Sequence, residues 1–267
     1  MDKITKKIYL VGEGWGFDCA LKGLKKVFKN VVGMSSLDSS IRDEIIIFDG
    51  YKPIVPNEIV LGNTCINVHY SLLPKYRGLH STVWAILNDE DYLGLSVHLM
   101  NNYIDDGAII HQKRFINDRI QTSCEYMELF NQYVAENLGW IIEDYLKGYT
   151  QLLQNDKKNA TWVGKRNHED CKINFNKDLN YQKCFFRALV DPYPLPYVEY
   201  KGMKLTVTKV SFYPVNVETH IGRILNIDND GLWVKAKDGY LVIKELKDDL
   251  GNAVSFDCFK IGQYFNR

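Results

Sequence analysis

Ile66-Asn67-Val68-His69-Tyr70-Ser71-Leu72-Leu73-Pro74-Lys75-Tyr76-Arg77-Gly78 is the stretch on which the fold is read. Residues 65–69, with Cys65, Ile66 and Val68 among them, predict a buried strand. The run then enters a polar, basic loop broken by Pro74. Downstream, Tyr103-Ile104-Asp105-Asp106-Gly107-Ala108-Ile109-Ile110 reads as a loop that turns at Gly107 into another strand. Asn67 and His69 are two apart, so on a strand both point to one side. With Asp105, they would place an amide, an imidazole and a carboxylate at the carboxyl ends of neighbouring parallel strands. That is the crevice where open α/β sheets do their chemistry.

Upstream, residues 7–11 (Lys-Ile-Tyr-Leu-Val) predict a strand. It ends in Gly12-Glu13-Gly14-Trp15-Gly16, with a helix expected from about Cys19. Glycines there would let backbone N–H groups face a phosphate, although the spacing does not meet the full dinucleotide fingerprint. Residues 31–34 and 44–48 predict further strands, 39–42 and 57–61 short helical turns, and Ser81 an N-cap for a helix over 80–87. Strands follow over 93–100 and 108–115. The clearest helix is 122–147, where Met127, Phe130, Val134, Leu138, Ile141 and Tyr145 recur at helical spacing. The polar run 151–160 marks a boundary, predicting domains over 1–155 and 156–267. Beyond it lie a helix near 179–190 and strands at 197–200, 204–210, 222–228, 232–236 and 240–246. Asp230-Gly231 and Asp238-Gly239 sit where hairpin turns want positive φ. The second domain is expected to be α+β, β-rich and barrel-like.

The 267 residues carry 33 Lys plus Arg against 33 Asp plus Glu, so no bulk field draws in nucleic acid or an anionic membrane. No apolar run reaches a membrane span, and a cytoplasmic location is expected. The six cysteines are scattered without close spacing and read as reduced packing residues; no metal is expected.

Asn67 offers a neutral donor to an oxygen that becomes negative, and His69 can give or take a proton near neutral pH. Asp105 could hold the imidazole charged or accept a proton through water. Together they suit attack on a carbonyl, where an oxyanion is stabilised and a nucleophile loses its proton. No serine or cysteine occupies a nucleophile elbow, so the nucleophile comes from the substrate.

Asn67-Val68-His69 followed by Ser71-Leu72-Leu73-Pro74-Lys75-Tyr76-Arg77-Gly78, then Trp84-Ala85-Ile86 with Asn88, then Ile104-Asp105 with Gly107, resembles the 10-formyltetrahydrofolate-dependent formyltransferases. The resemblance implies an α/β, Rossmann-like formyltransferase domain with a mostly parallel sheet. It also implies catalytic roles for Asn67, His69 and Asp105, and a folate co-substrate against Pro53, Ile54, Val55, Asn101, Ile104 and Asp105. Further on, Arg166, Glu169-Asp170, Arg187-Ala188-Leu189 and Pro192-Tyr193-Pro194 look like the sugar and methionyl-tRNA branches. There Leu195 stands where those branches usually carry glycine.

Charge and length favour the branch that formylates nucleotide-linked amino sugars of bacterial surface glycans, with a dTDP- or UDP-linked 4-amino-4,6-dideoxy sugar as the expected acceptor. Lys75 and Arg77 are placed to meet a diphosphate. Gly12, Trp15 and Tyr70 complete the expected substrate contacts, and a homodimer is the default assembly. The rival readings are a methionyl-tRNA formyltransferase, a formyltetrahydrofolate hydrolase and a non-catalytic folate or nucleotide-sugar binding protein.

Overall fold

The computed structural model describes residues 7–266, which gather into two compact units. The first holds residues 7–85, Asp91–Asn117 and Glu125–Lys165; the second holds Ile86–Glu90, Asp118–Cys124 and residues 166–266.

In chain order the elements up to residue 165 are β1 (Ile8–Gly12), α1 (Gly14–Lys25), β2 (Val31–Met34), β3 (Ile45–Asp49), α2 (Asn57–Gly62) and β4 (Thr64–His69). They continue with β5 (Arg77–Gly78), α3 (Ser81–Leu87), β6 (Tyr92–Leu99), β7 (Ile109–Ile116), α4 (Ser123–Leu146) and β8 (Trp162–Val163). Six strands form one sheet in the order β2-β1-β3-β4-β6-β7. The pairs β1–β2, β1–β3 and β3–β4 are parallel, whereas β6 runs antiparallel to both β4 and β7. The sheet is therefore parallel but for one strand, in keeping with the expected mostly parallel sheet. Every residue of β3 is buried, as its continuous Ile-Ile-Ile-Phe run requires of a central strand covered on both faces.

Four local expectations change. First, Asp105 does not close a parallel strand: it lies on the connection from the reversed β6 into β7. Second, α1 begins at Gly14, so the glycine turn is shorter than the sequence suggested. Third, residues 39–42 form no helix; a turn there is held by Asp38, whose carboxylate accepts from the Ser40 backbone N–H. Fourth, the Ser81 hydroxyl donates to the Tyr70 carbonyl at 2.9 Å, tying α3 to the loop after β4.

In the second unit, Asp178 caps α5 (Leu179–Ala188) by accepting from the Tyr181 N–H at 2.8 Å. Strands β9 (Tyr197–Tyr200), β10 (Met203–Pro214), β11 (Ile224–Asp228), β12 (Gly231–Ala236) and β13 (Gly239–Lys247) make an antiparallel sheet in the order β11-β12-β13-β10-β9. β11 and β9 do not pair directly among the described residues, but residues 262–266 bond to both: the Ile224 N–H donates to the Gln263 carbonyl and the Asn266 N–H to the Glu199 carbonyl, each at 2.8 Å. Gly231 does take a positive φ (136°). Gly239 has another reason to be glycine: a Cβ there would lie 2.4 Å from both the Tyr213 carbonyl and a methyl of Leu179. Among the described residues, no helix is long and apolar enough to cross a membrane.

Candidate active site

The site is built on β4. Its register sets Asn67 opposite His98 and His69 opposite Ser96 on β6. Directly opposed residues share a face, so the amide and two imidazoles project together. The connection after β6 then returns Asp105 to the same place. Its Oδ1 lies 3.3 Å from the Asn67 amide nitrogen and 3.4 Å from His98 Nε2. Its Oδ2 lies 3.6 Å from His69 Nδ1 and accepts the Gly78 backbone N–H at 2.8 Å.

Each ring is fixed from its far side. His98 Nδ1 sits 2.7 Å from the Leu99 carbonyl, so that nitrogen carries a proton. His98 Nε2 lies 3.2 Å from the Asn67 amide nitrogen and 3.4 Å from Asp105 Oδ1; bare, it accepts from Asn67, and protonated, it donates to Asp105. His69 Nε2 donates to the Tyr76 carbonyl at 2.9 Å, leaving Nδ1 to face Asp105. Burial lowers the His69 pKa, and the Asp105 charge pushes against that. For Asp105 itself burial works upward, but His69, the bond from His98 and the Gly78 N–H hold the carboxyl well below its usual range. Asp105 is therefore an anion that organises the donors around it.

The loop carrying Asp105 is held by residues distant in sequence. Asn155 donates to the Asp105 and Gly107 carbonyls at 2.8 and 3.0 Å. Arg77 binds Asp106 at 2.5 Å and the Asn155 side chain at 2.8 Å. Gly107 is glycine because a Cβ would come within 1.9 Å of the Leu99 carbonyl. After His69, the Ser71 hydroxyl donates to the Lys75 carbonyl, and the Ser96 hydroxyl donates to the Ser71 carbonyl at 2.7 Å. The Ser-Leu-Leu-Pro turn is thus pinned to β6.

Asn67, His69 and Asp105 are brought together; the other expected contacts divide. Asn101 and Ile104 share the Asp105 loop, where Tyr103 and Ile104 are largely exposed. Pro53, Ile54 and Val55 follow β3, the strand beside β4; Ile54 is exposed, and Val55 packs against the cluster of Val11, Ile46 and Phe48. Lys75 and Trp15 are exposed. Arg77 is a correction: at 2% exposure and bound to Asp106, its guanidinium has no face for a diphosphate. Tyr70 is a second, because its hydroxyl binds Asp49 and Asn131 and its ring stacks on Phe130. Gly12 has a packing reason to be glycine: a Cβ there would meet the Asp49 carbonyl at 1.7 Å. His98 is a site residue that sequence reasoning missed. The signal for it was its place in an alternating strand, which points it to one face, but only the direction of β6 sets it opposite Asn67. Among the described residues, no group of three or more His, Cys, Asp or Glu could hold a metal ion.

Comparison with known proteins fits this geometry. The formyl transferase family profile matches residues 30–134, and the formyl transferase C-terminal domain profile matches 165–263. A methionyl-tRNA formyltransferase of Borrelia duttonii is 31% identical over 84% of this chain and 72% of its own. One from Clostridium tetani is 27% identical over 76% of this chain, which spans about two thirds (66%) of that relative's length. Among solved structures, an N-formyltransferase from Helicobacter canadensis in complex with folinic acid and dTDP-3-aminofucose superposes with a TM-score of 0.68. It is 19% identical, with 91% of this chain and 100% of that one covered. The clustered amide, imidazoles and carboxylate thus sit in a chain that belongs to the formyl transferase family.

Proposed function

We propose that the protein transfers the formyl group of 10-formyltetrahydrofolate to the amine of a nucleotide-linked amino-dideoxy sugar, with dTDP or UDP as the nucleotide. The observation that carries the formyl-transfer half is the convergence of Asn67, His69 and Asp105 within hydrogen-bonding or ion-pairing reach. The neutral amine attacks the formyl carbon, and Asn67 and protonated His69 stabilise the tetrahedral oxyanion. Asp105 favours the charged form of His69 against the burial that lowers its pKa, and helps relay the amine proton. The new C–N bond stays as the amide, the bond to N10 of the folate breaks, and that nitrogen takes the proton. An incoming carbonyl oxygen would replace His98 Nε2 as acceptor for one Asn67 N–H. The folate would lie between the 53–55 segment and the 101–105 loop, whose exposed Ile54, Tyr103 and Ile104 offer apolar surface.

Charge supports a small acceptor. The chain is neutral, and the second unit's sequence interleaves its signs, as in Lys244-Glu245 and Lys247-Asp248. Exposed Lys75 remains the candidate diphosphate contact after the loss of Arg77. A second reading, formylation of methionyl-tRNA, is favoured by the names of the curated relatives. Assay of nucleotide-linked amino sugars and of methionyl-tRNA with 10-formyltetrahydrofolate separates the two. Formylation of tRNA alone would overturn the sugar assignment, and turnover of neither would overturn both.

A further inference from the structure

Beneath the first turn of α1 lies an ionisable cluster that formyl transfer does not use. Asp49, the last residue of β3, is fully buried, and no Lys, Arg or His among the described residues pairs with it. Both its carboxyl oxygens approach the Tyr70 hydroxyl, at 3.0 and 3.1 Å, and that hydroxyl lies 2.9 Å from Asn131 Oδ1 on α4. A Cβ on Gly16 would come within 2.7 Å of both Asp49 Oδ1 and the Tyr70 hydroxyl. The glycines that resemble a phosphate cradle in the sequence thus make room for the protein's own acid. Tyr70 directly follows His69, and its carbonyl accepts from Ser81 and Thr82 at 2.9 Å each.

One hydroxyl proton cannot serve three oxygen acceptors, so the cluster has two self-consistent states. With Asp49 protonated, its O–H donates to Tyr70 and Tyr70 donates to Asn131. With Asp49 ionised, the proton having passed to solvent, Tyr70 turns its O–H to the carboxylate and Asn131 rotates its amide to donate to Tyr70. We propose that Asp49, Tyr70 and Asn131 form a buried proton relay whose state sets the position of the segment bearing His69, making Asp49 and Tyr70 positioning residues for the reaction. Burial, opposed by the Tyr70 bond, pushes the Asp49 carboxyl up to about 7, so the two states exchange near neutrality. Besides Tyr70, the ionisable group that faces it among the described residues is Cys19 on α1, whose thiol burial pushes up and the Asp49 charge pushes further; Gly12 of β1 abuts its backbone, and the neutral Asn131 of α4 meets Tyr70.

The functional half rests on the formyl-transfer reading; the proton half does not. Difference infrared spectroscopy of the intact protein across neutral pH should show a protonated-carboxyl stretch that fades as pH rises. The stretch should be missing in Asp49→Asn. Tyr70→Phe, which keeps the stacked ring, should shift that titration and lower kcat several-fold with little change in KM for the folate, and Asp49→Asn should remove one ionisation from the kcat–pH profile. If no acceptor is formylated, the infrared titration still decides the relay. A carboxyl ionised throughout, or one whose titration ignores Tyr70→Phe, overturns the proposal. So does a kcat–pH profile of Asp49→Asn that superposes on the parent; if that variant does not fold, an unchanged kcat in Tyr70→Phe does the same.

Discussion

Asn67 and His69 were legible because spacing of two on a strand fixes their common side, whatever the neighbouring strands do. Asp105 came from the resemblance, since nothing in its local sequence ties it to β4. His98 stayed hidden because pairing it with Asn67 requires knowing that β6 reverses. Removing a donor to an oxyanion costs about 2.7–4 kcal/mol of transition-state stabilisation. Asn67→Ala and His69→Ala should each lower kcat about a hundredfold or more with the melting temperature little changed. Near-normal turnover in either would remove that residue from its role. Asp105 has its own pH signature. Its folded pKa is depressed, so its stabilisation is present above the ordinary carboxylate pKa of about 3.9 and is lost as pH falls through the folded value. Thermal melts in acid should therefore drop more steeply for the parent than for Asp105→Asn.

At the scale of elements, the strand and helix order followed from periodicity, whereas loop chemistry did not. Arginine in a polar, proline-broken loop reads as solvent-facing. Arg77 is instead buried against Asp106, a partner that the local sequence gives no means of finding. Breaking such a buried pair costs about 3 kcal/mol or more, so Arg77→Met should lower the denaturant midpoint markedly, even though Lys157 also reaches Asp106 at 3.2 Å. Lys75 is exposed, and Lys75→Ala should raise KM for the nucleotide sugar several-fold. An unchanged KM would leave the diphosphate without its expected contact. Gly239 belongs here too, because an Asp-Gly pair reads as turn chemistry when crowding by Leu179 and Tyr213 is the cause.

For the whole molecule, neutrality makes a sharp expectation. Any binding of tRNA should be weak at physiological salt and show a shallow salt slope, since few phosphates would be neutralised; filter binding across salt concentrations measures this. Overall stability should also carry the mark of Asp49. Its folded pKa of about 7 lies above the reference 3.8, so native protein holds the proton more tightly and stability falls as pH rises between those values. Relative to the parent, Asp49→Asn should gain melting temperature across that window and hold a constant offset above it.

One small ladder bears on how the chain can be divided. Strand β8, after the polar run, pairs with β5, and β5 holds the Gly78 N–H that binds Asp105. Asn155, within the same run, braces the Asp105 loop. A truncation at the composition change would therefore amputate two struts of the reaction centre. Any fragment that keeps both struts has to extend through Val163.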